Sequence, residues 1–114
     1  MDIYGIPNCS TVKKARVWLA QQNIDYAFHD FKKTGVSVAQ LTLWAEQIHW
    51  EELINRQGTT WRKLSDAIKA SITTPAAAFA LMAEQPSLIK RPVLVHQHRL
   101  LVGFNAAKYT TFFS

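Results

Sequence analysis

The first thirty-five residues constrain the fold most tightly. DIYGI is a short apolar run stopped by Pro7, which reads as a buried strand. STVKKARVWLAQQ follows, with Val12, Ala15 and Leu19 on one face and Lys13, Lys14 and Gln21 largely elsewhere, the pattern of an amphipathic helix. Asn23 reads as its stop. DYAFHDF then alternates, Tyr26 and Phe28 to one side and Ala27 and His29 to the other, as a strand does. KKTG closes the unit. A strand, a helix and a strand joined by short connections form a βαβ unit, whose two strands must run parallel.

Residues 36–85 read as helices only. SVAQLTLWAEQI opens on a capping box, Ser37 with Gln40, and carries Val38, Leu41, Ala45 and Ile48 as its apolar stripe. WEELINRQG reads as a short helix ended by Gly58, and Thr60 is expected to cap another over WRKLSDAIKA. TPAAAFALMAEQP has Thr74 as cap, Pro75 at the first helical position and Pro86 as terminator. Strands return in RPVLVHQHRLLVGF, two of them about a turn near His96 and Gln97, giving an antiparallel hairpin. Asn105 is placed to cap a final helix, AAKYTTFF. The order is β-α-β, a helical stretch, then β-β-α. This is the thioredoxin order: an α/β fold with a mixed four-stranded sheet flanked by helices. The expected division is one domain over 1–114, its thioredoxin-like part at 1–35 and 86–114 and its helical insertion at 36–85.

Composition narrows the setting. A chain of 114 residues, 48% of them hydrophobic, builds a core without staples. Its single cysteine excludes an internal disulfide and hence a secreted, stapled scaffold. An unpaired thiol belongs in a reducing compartment. MDIYGIPNC lacks the basic start and long apolar run of a signal peptide, and no window reaches membrane-spanning length. A cytoplasmic protein, off the membrane, is expected. The net charge of +5 is spread along the chain without the long basic tract of a nucleic-acid arm, so direct nucleic-acid binding is not expected. The surplus suits small anions or a thiolate. His96 and His98 form an H-x-H pair, but one cysteine and no carboxylate cluster make a poor zinc site, and no metal is expected. Trp18, Trp44, Trp50 and Trp61 are expected in packing, with Trp61 partly exposed. Gly103, after a strand, is expected to serve a close backbone approach.

The cysteine stands where strand gives way to helix. There Cys9 feels the positive end of the helix dipole and unpaired backbone N–H groups, which favour the nucleophilic thiolate. Lys13, four residues on, is expected to share its face and add to the effect, so the thiol pKa is expected to fall. Ser10 and Thr11 lie in the first turn, to cap the helix or to donate hydrogen bonds to the sulfur. In LIKRPV, Pro92 follows Arg91 just before a strand. A thioredoxin-like fold would set that proline in the cis form facing the cysteine. Arg91 would then offer its fork of donors near the sulfur.

YGIPNCSTVKKARVWL, NRQGTTWRKL, QPSLIKRPVLV and LLVGFN, in this order and spacing over essentially the whole chain, resemble the ArsC/Spx family, and within it the YffB-like branch. The resemblance implies a thioredoxin-like fold with a helical insertion, a catalytic Cys9, and an active-site Arg91 followed by cis-Pro92. Arg56, in NRQG, is a further candidate for the basic site. Members of the Spx branch often carry C-x-x-C, where this chain has Cys9, Ser10, Thr11 and Val12, so an internal dithiol switch is impossible. Gly103 and Phe104 stand where arsenate reductases of the family place another arginine, which disfavours arsenate. A lone activated thiol needs an external thiol to resolve its mixed disulfide. The expected function is therefore that of a glutathione-dependent thiol–disulfide reductase with a monothiol mechanism. Glutathione serves as co-substrate, and Cys9, Arg91, Lys13, Arg56, Pro92, Ser10 and Thr11 form its site. A regulator docking on RNA polymerase, as Spx does, is the alternative, and arsenate reduction the third.

Overall fold

The structure, a computed structural model, describes residues 1–114. Its sheet has four strands, β1 (Asp2–Gly5), β2 (Ala27–Asp30), β3 (Val93–His96) and β4 (Arg99–Val102), in the order β2-β1-β3-β4. β1 and β2 are parallel; β3 is antiparallel to β1 and to β4. The helices are α1 (Ser10–Gln21), α2 (Phe31–Thr34), α3 (Val38–Trp44), α4 (Thr59–Arg62), α5 (Asp66–Ser71), α6 (Pro75–Glu84) and α7 (Ala106–Phe113). This is the thioredoxin-like α/β architecture expected from the order of elements. The chain divides into two compact units, Met1–Thr34 with Arg91–Ser114, and Gly35–Lys90.

The sheet belongs to the first unit. Its core is Ile3, Ala15, Leu19, Leu94 and Tyr109, all fully buried, with Trp18, Phe28, Leu101, Phe104 and Phe113 packed against them. Val12, Ala15 and Leu19 are the buried face of α1, as their spacing predicts. Asn23, at φ 56°, takes the left-handed conformation that ends the helix. β2 is shorter than the expected strand at both ends; at its C-terminal end Asp30 accepts a hydrogen bond from the Lys32 N–H at 2.9 Å and turns the chain into α2. The hairpin turn falls at Gln97 and His98, both at positive φ, one residue later than expected. His96 stays in β3, opposite Arg99, with its ring 6.0 Å from that of Phe113.

The second unit holds the helical segment. Ser37 and Thr74 cap α3 and α6 as expected, accepting from the N–H groups of Gln40 and Ala77. Elsewhere the expectations are corrected. α3 stops at Trp44, and Leu41 and Trp44 are its buried residues; Val38 is exposed. Ala45 and Ile48, expected on the apolar stripe of α3, lie at and beyond its C-cap and are half-buried. WEE forms only a 3₁₀ turn. Gly58 starts α4 rather than ending a helix, and the expected helix over WRKLSDAIKA is broken at Ser65, whose hydroxyl accepts from the Ile68 N–H and starts α5. Pro86–Leu88 form another 3₁₀ turn, and Ile89 pairs with Ile54, so residues up to Lys90 lie with the second unit.

One close contact sets where α1 begins relative to β1. A Cβ on Gly5 would lie 2.8 Å from Val12 Cγ2, so only glycine lets the helix sit this near the strand end. Gly5→Ala is expected to destabilise the fold by about 1–3 kcal/mol, the cost of overpacking a well-filled core. Adding Val12→Ala should recover part of that loss, which thermal unfolding of both variants measures. The buried Tyr109 hydroxyl has no hydrogen-bond partner, and burial pushes its pKa up. Tyr109→Phe removes that unsatisfied donor and is expected to leave stability unchanged or to raise it by about 1 kcal/mol in denaturant unfolding.

Candidate active site

Cys9 is the N-cap of α1, in extended conformation (φ −89°, ψ 127°). Its N–H donates to the Ile6 carbonyl at 3.2 Å, and its own carbonyl accepts from the Lys13 N–H at 3.0 Å. The backbone is thus tied on one side to the turn that leaves β1 and on the other to the first turn of the helix. The sulfur is partly buried.

Partial burial by itself pushes the thiol pKa up. Four effects oppose it: the N–H of Val12, a hydrogen bond from the Arg91 side chain, the N–H of Thr11, and the positive charge of Arg91. Together they hold the thiol below its ordinary value. Val12 and Thr11 are the third and second residues of α1, so their N–H groups are among those a helix leaves without an internal partner. The N-cap position sets these N–H groups beside the sulfur, where they favour its anion without making a capping hydrogen bond.

Arg91 comes from the far end of the sequence. It immediately precedes β3, and β3 lies beside β1 with Val93 opposite Tyr4. The Arg91–Pro92 peptide is cis and Pro92 is buried. The Pro92 carbonyl accepts from the Gly103 N–H at 2.8 Å, one step beyond the Val93–Val102 pair. Cys9, Arg91 and Pro92 thus belong to one unit, and of the latter two it is Arg91 that acts on the sulfur.

Other expected residues take different places. The Lys13 side chain is exposed and is not among the groups that act on the sulfur, which corrects its expected share in lowering the pKa. A solvated ammonium is screened by water. Neither Ser10 nor Thr11 caps the helix: Cys9 holds that position, and Thr11 acts through its backbone. Arg56 lies in the second unit, its guanidinium 2.9 Å from Glu51 and within 6 Å of the ring centres of Trp50 and Trp61. Val12 is the contributor that side-chain reasoning misses, because it acts through its main-chain N–H. Its signal in the sequence is position, third after the N-cap. No group of three or more His, Cys, Asp or Glu is placed to hold a metal ion.

A cysteine with a lowered pKa at the start of the first helix of a mixed four-stranded sheet, with the residue before the cis-proline acting on its sulfur, defines a thiol protein of thioredoxin-like fold. The ArsC family model matches residues 4–112, and the chain belongs to that family. It is 30% identical over 117 residues to the global transcriptional regulator Spx of Streptococcus pyogenes, an alignment covering 100% of this chain and 85% of the relative. A solved structure of a protein named YFFB is 45% identical, with a TM-score of 0.91 over 96% of each chain. The solution structure of an arsenate reductase (ArsC) related protein from Brucella melitensis is 47% identical, with a TM-score of 0.76 over 98% of this chain and 92% of that one.

Arg91→Ala is expected to move the midpoint of Cys9 alkylation to higher pH, since it removes both a donor and a positive charge from the anion. The pH profile of iodoacetamide labelling measures it. The sign on stability follows. A thiol whose folded pKa is depressed adds stability above its unfolded value and loses it as the pH falls through the folded value. The wild-type chain should therefore gain stability over Cys9→Ser as the pH rises through that window.

Proposed function

We propose that the chain is a thiol–disulfide reductase that works with glutathione through a single cysteine. In the first step the Cys9 thiolate attacks the glutathione sulfur of a mixed disulfide. A Cys9–glutathione disulfide forms, and the substrate sulfur leaves as a thiolate that takes up a proton. In the second step a glutathione thiolate attacks the glutathione sulfur bound to Cys9. Oxidised glutathione leaves and the Cys9 thiolate returns. The net exchange converts one substrate–glutathione disulfide and one glutathione into one substrate thiol and one oxidised glutathione.

The observation that carries this reading is the sulfur itself, the only one of its kind in the chain and stabilised as an anion by two main-chain donors and a guanidinium. With no second cysteine, the resolving thiol must come from another molecule. The Arg91 guanidinium serves the thiolate in the resting protein and suits a carboxylate of glutathione in the complex. Lys13, exposed one turn along α1, is a second cation for those carboxylates. Membership of a family that includes arsenate reductase-related proteins supports thiol-based redox chemistry at the coarse level. Gly103 and Phe104, where arsenate reductases of the family carry a further arginine, favour a disulfide over arsenate. A reducing, cytoplasmic setting supplies the thiol that the cycle consumes.

Full-length similarity to Spx supports a second reading, a regulator that docks on RNA polymerase without a redox switch. The two readings part in one experiment. Incubated with oxidised glutathione, the wild-type chain is expected to gain one glutathione by intact mass, Cys9→Ser none, and Arg91→Ala to gain it about threefold to tenfold more slowly, in line with its smaller thiolate fraction. A chain that takes up no adduct yet co-purifies with RNA polymerase would put the regulator first.

A further inference from the structure

Gly103 bonds to the residue that follows the active-site arginine, and its conformation does not come from crowding. A Cβ built on it meets nothing within 4 Å, so the close approach expected at this glycine is absent. Its φ is +81°, in the left-handed region that residues with a side chain rarely adopt. The glycine is there for its backbone.

That backbone does two things at once. On one side the Gly103 N–H donates to the Pro92 carbonyl at 2.8 Å and carries the β3–β4 ladder one step past Val93 and Val102. This anchors the chain immediately after Arg91. On the other side the positive φ turns the chain out of β4. Phe104 then packs its ring edge-on to Tyr109 at 4.8 Å, and Asn105 caps α7 by accepting from the Lys108 N–H at 3.1 Å. Tyr109 is a fully buried member of the core. The ladder step and the core anchor are thus separated by a single left-handed residue. A side chain at 103 disfavours that conformation, and the strain is relieved by loosening one anchor or the other.

We propose that Gly103 is a positioning residue for Cys9 chemistry: its left-handed conformation lets one main-chain N–H hold Pro92, and so holds the Arg91 guanidinium against the sulfur. The inference rests on the reductase reading for its consequence, since turnover depends on that thiolate. The geometric part concerns Arg91 and Cys9 alone. Gly103 touches no reacting atom and acts through Pro92 and Arg91.

The test compares three variants by two readouts, the pH midpoint of Cys9 alkylation and thermal stability. Gly103→Ala is expected to slow alkylation at neutral pH about threefold, equivalent to about half a pKa unit. Gly103→Asn, which tolerates the left-handed region, should restore most of the wild-type profile. Asn105→Ala removes the α7 cap from the same loop without touching the Pro92 bond. It should lose stability and leave the alkylation profile unchanged. An alanine profile equal to wild type would overturn the proposal, as would an equal shift from Asn105→Ala, which would mark general loosening. If Gly103→Ala does not fold, Gly103→Ser at lower temperature takes its place: a profile shifted to higher pH supports the proposal and a wild-type profile overturns it. Failure of the reductase reading is read separately, as normal alkylation shifts in a chain that forms no glutathione adduct.

Discussion

A partly buried sulfur can be an anion only if its neighbours replace the water it has lost. In this chain that replacement comes from three directions: two main-chain N–H groups of α1 and the guanidinium of Arg91. Burial alone would raise the thiol pKa and leave an inert side chain; the donors reverse the sign. The balance matters because burial also strengthens each donor's effect, since a charge–dipole contact out of bulk water is less screened.

The fold of the first unit supports those donors. Gly5 allows α1 to start close against the end of β1, which puts the N-cap where the strand runs out. Cys9 is tied to Ile6 on one side and to Lys13 on the other, so its side chain leaves a backbone with little freedom. The antiparallel pairing of β3 with β1 brings Arg91 from more than eighty residues away to the same place. Leu94 of β3 is packed in the core with Ile3 and Leu19, so moving the strand that follows Arg91 would expose that core. Reactivity at Cys9 and stability of the sheet therefore share the same contacts.

Much of this was legible in the residues. The face of α1 formed by Val12, Ala15 and Leu19, its stop at Asn23, the caps at Thr74 and Asn105, and the strand pair about Gln97 all followed from local pattern, because each depends on residues within one or two turns of each other. The stretch over 45–71 was less legible. Short apolar runs there fit several helix frames, and the choice is made by burial of Trp44, Leu53 and Ile54 and by the Ser65 cap, none of which periodicity alone reveals. Pro86 reads correctly as a stop for α6, yet Ile89 pairs with Ile54, thirty-five positions earlier, and such pairing has no local signal. In the site, Cys9 and Arg91 were legible as residue types at meaningful positions. The weight given to Lys13, Ser10 and Thr11 side chains was not sustained, because the groups that act on the sulfur from α1 are main-chain N–H groups, which every residue type but proline supplies.

The thiolate absorbs at longer ultraviolet wavelength and more strongly than the thiol, so a spectroscopic titration of the folded wild-type chain, with Cys9→Ser as blank, reports the charge on this sulfur without any added reagent. The account predicts an inflection clearly below the value of a free cysteine. An inflection at or above that value would contradict it, since it would mean that the helix and the arginine fail to outweigh the cost of burial.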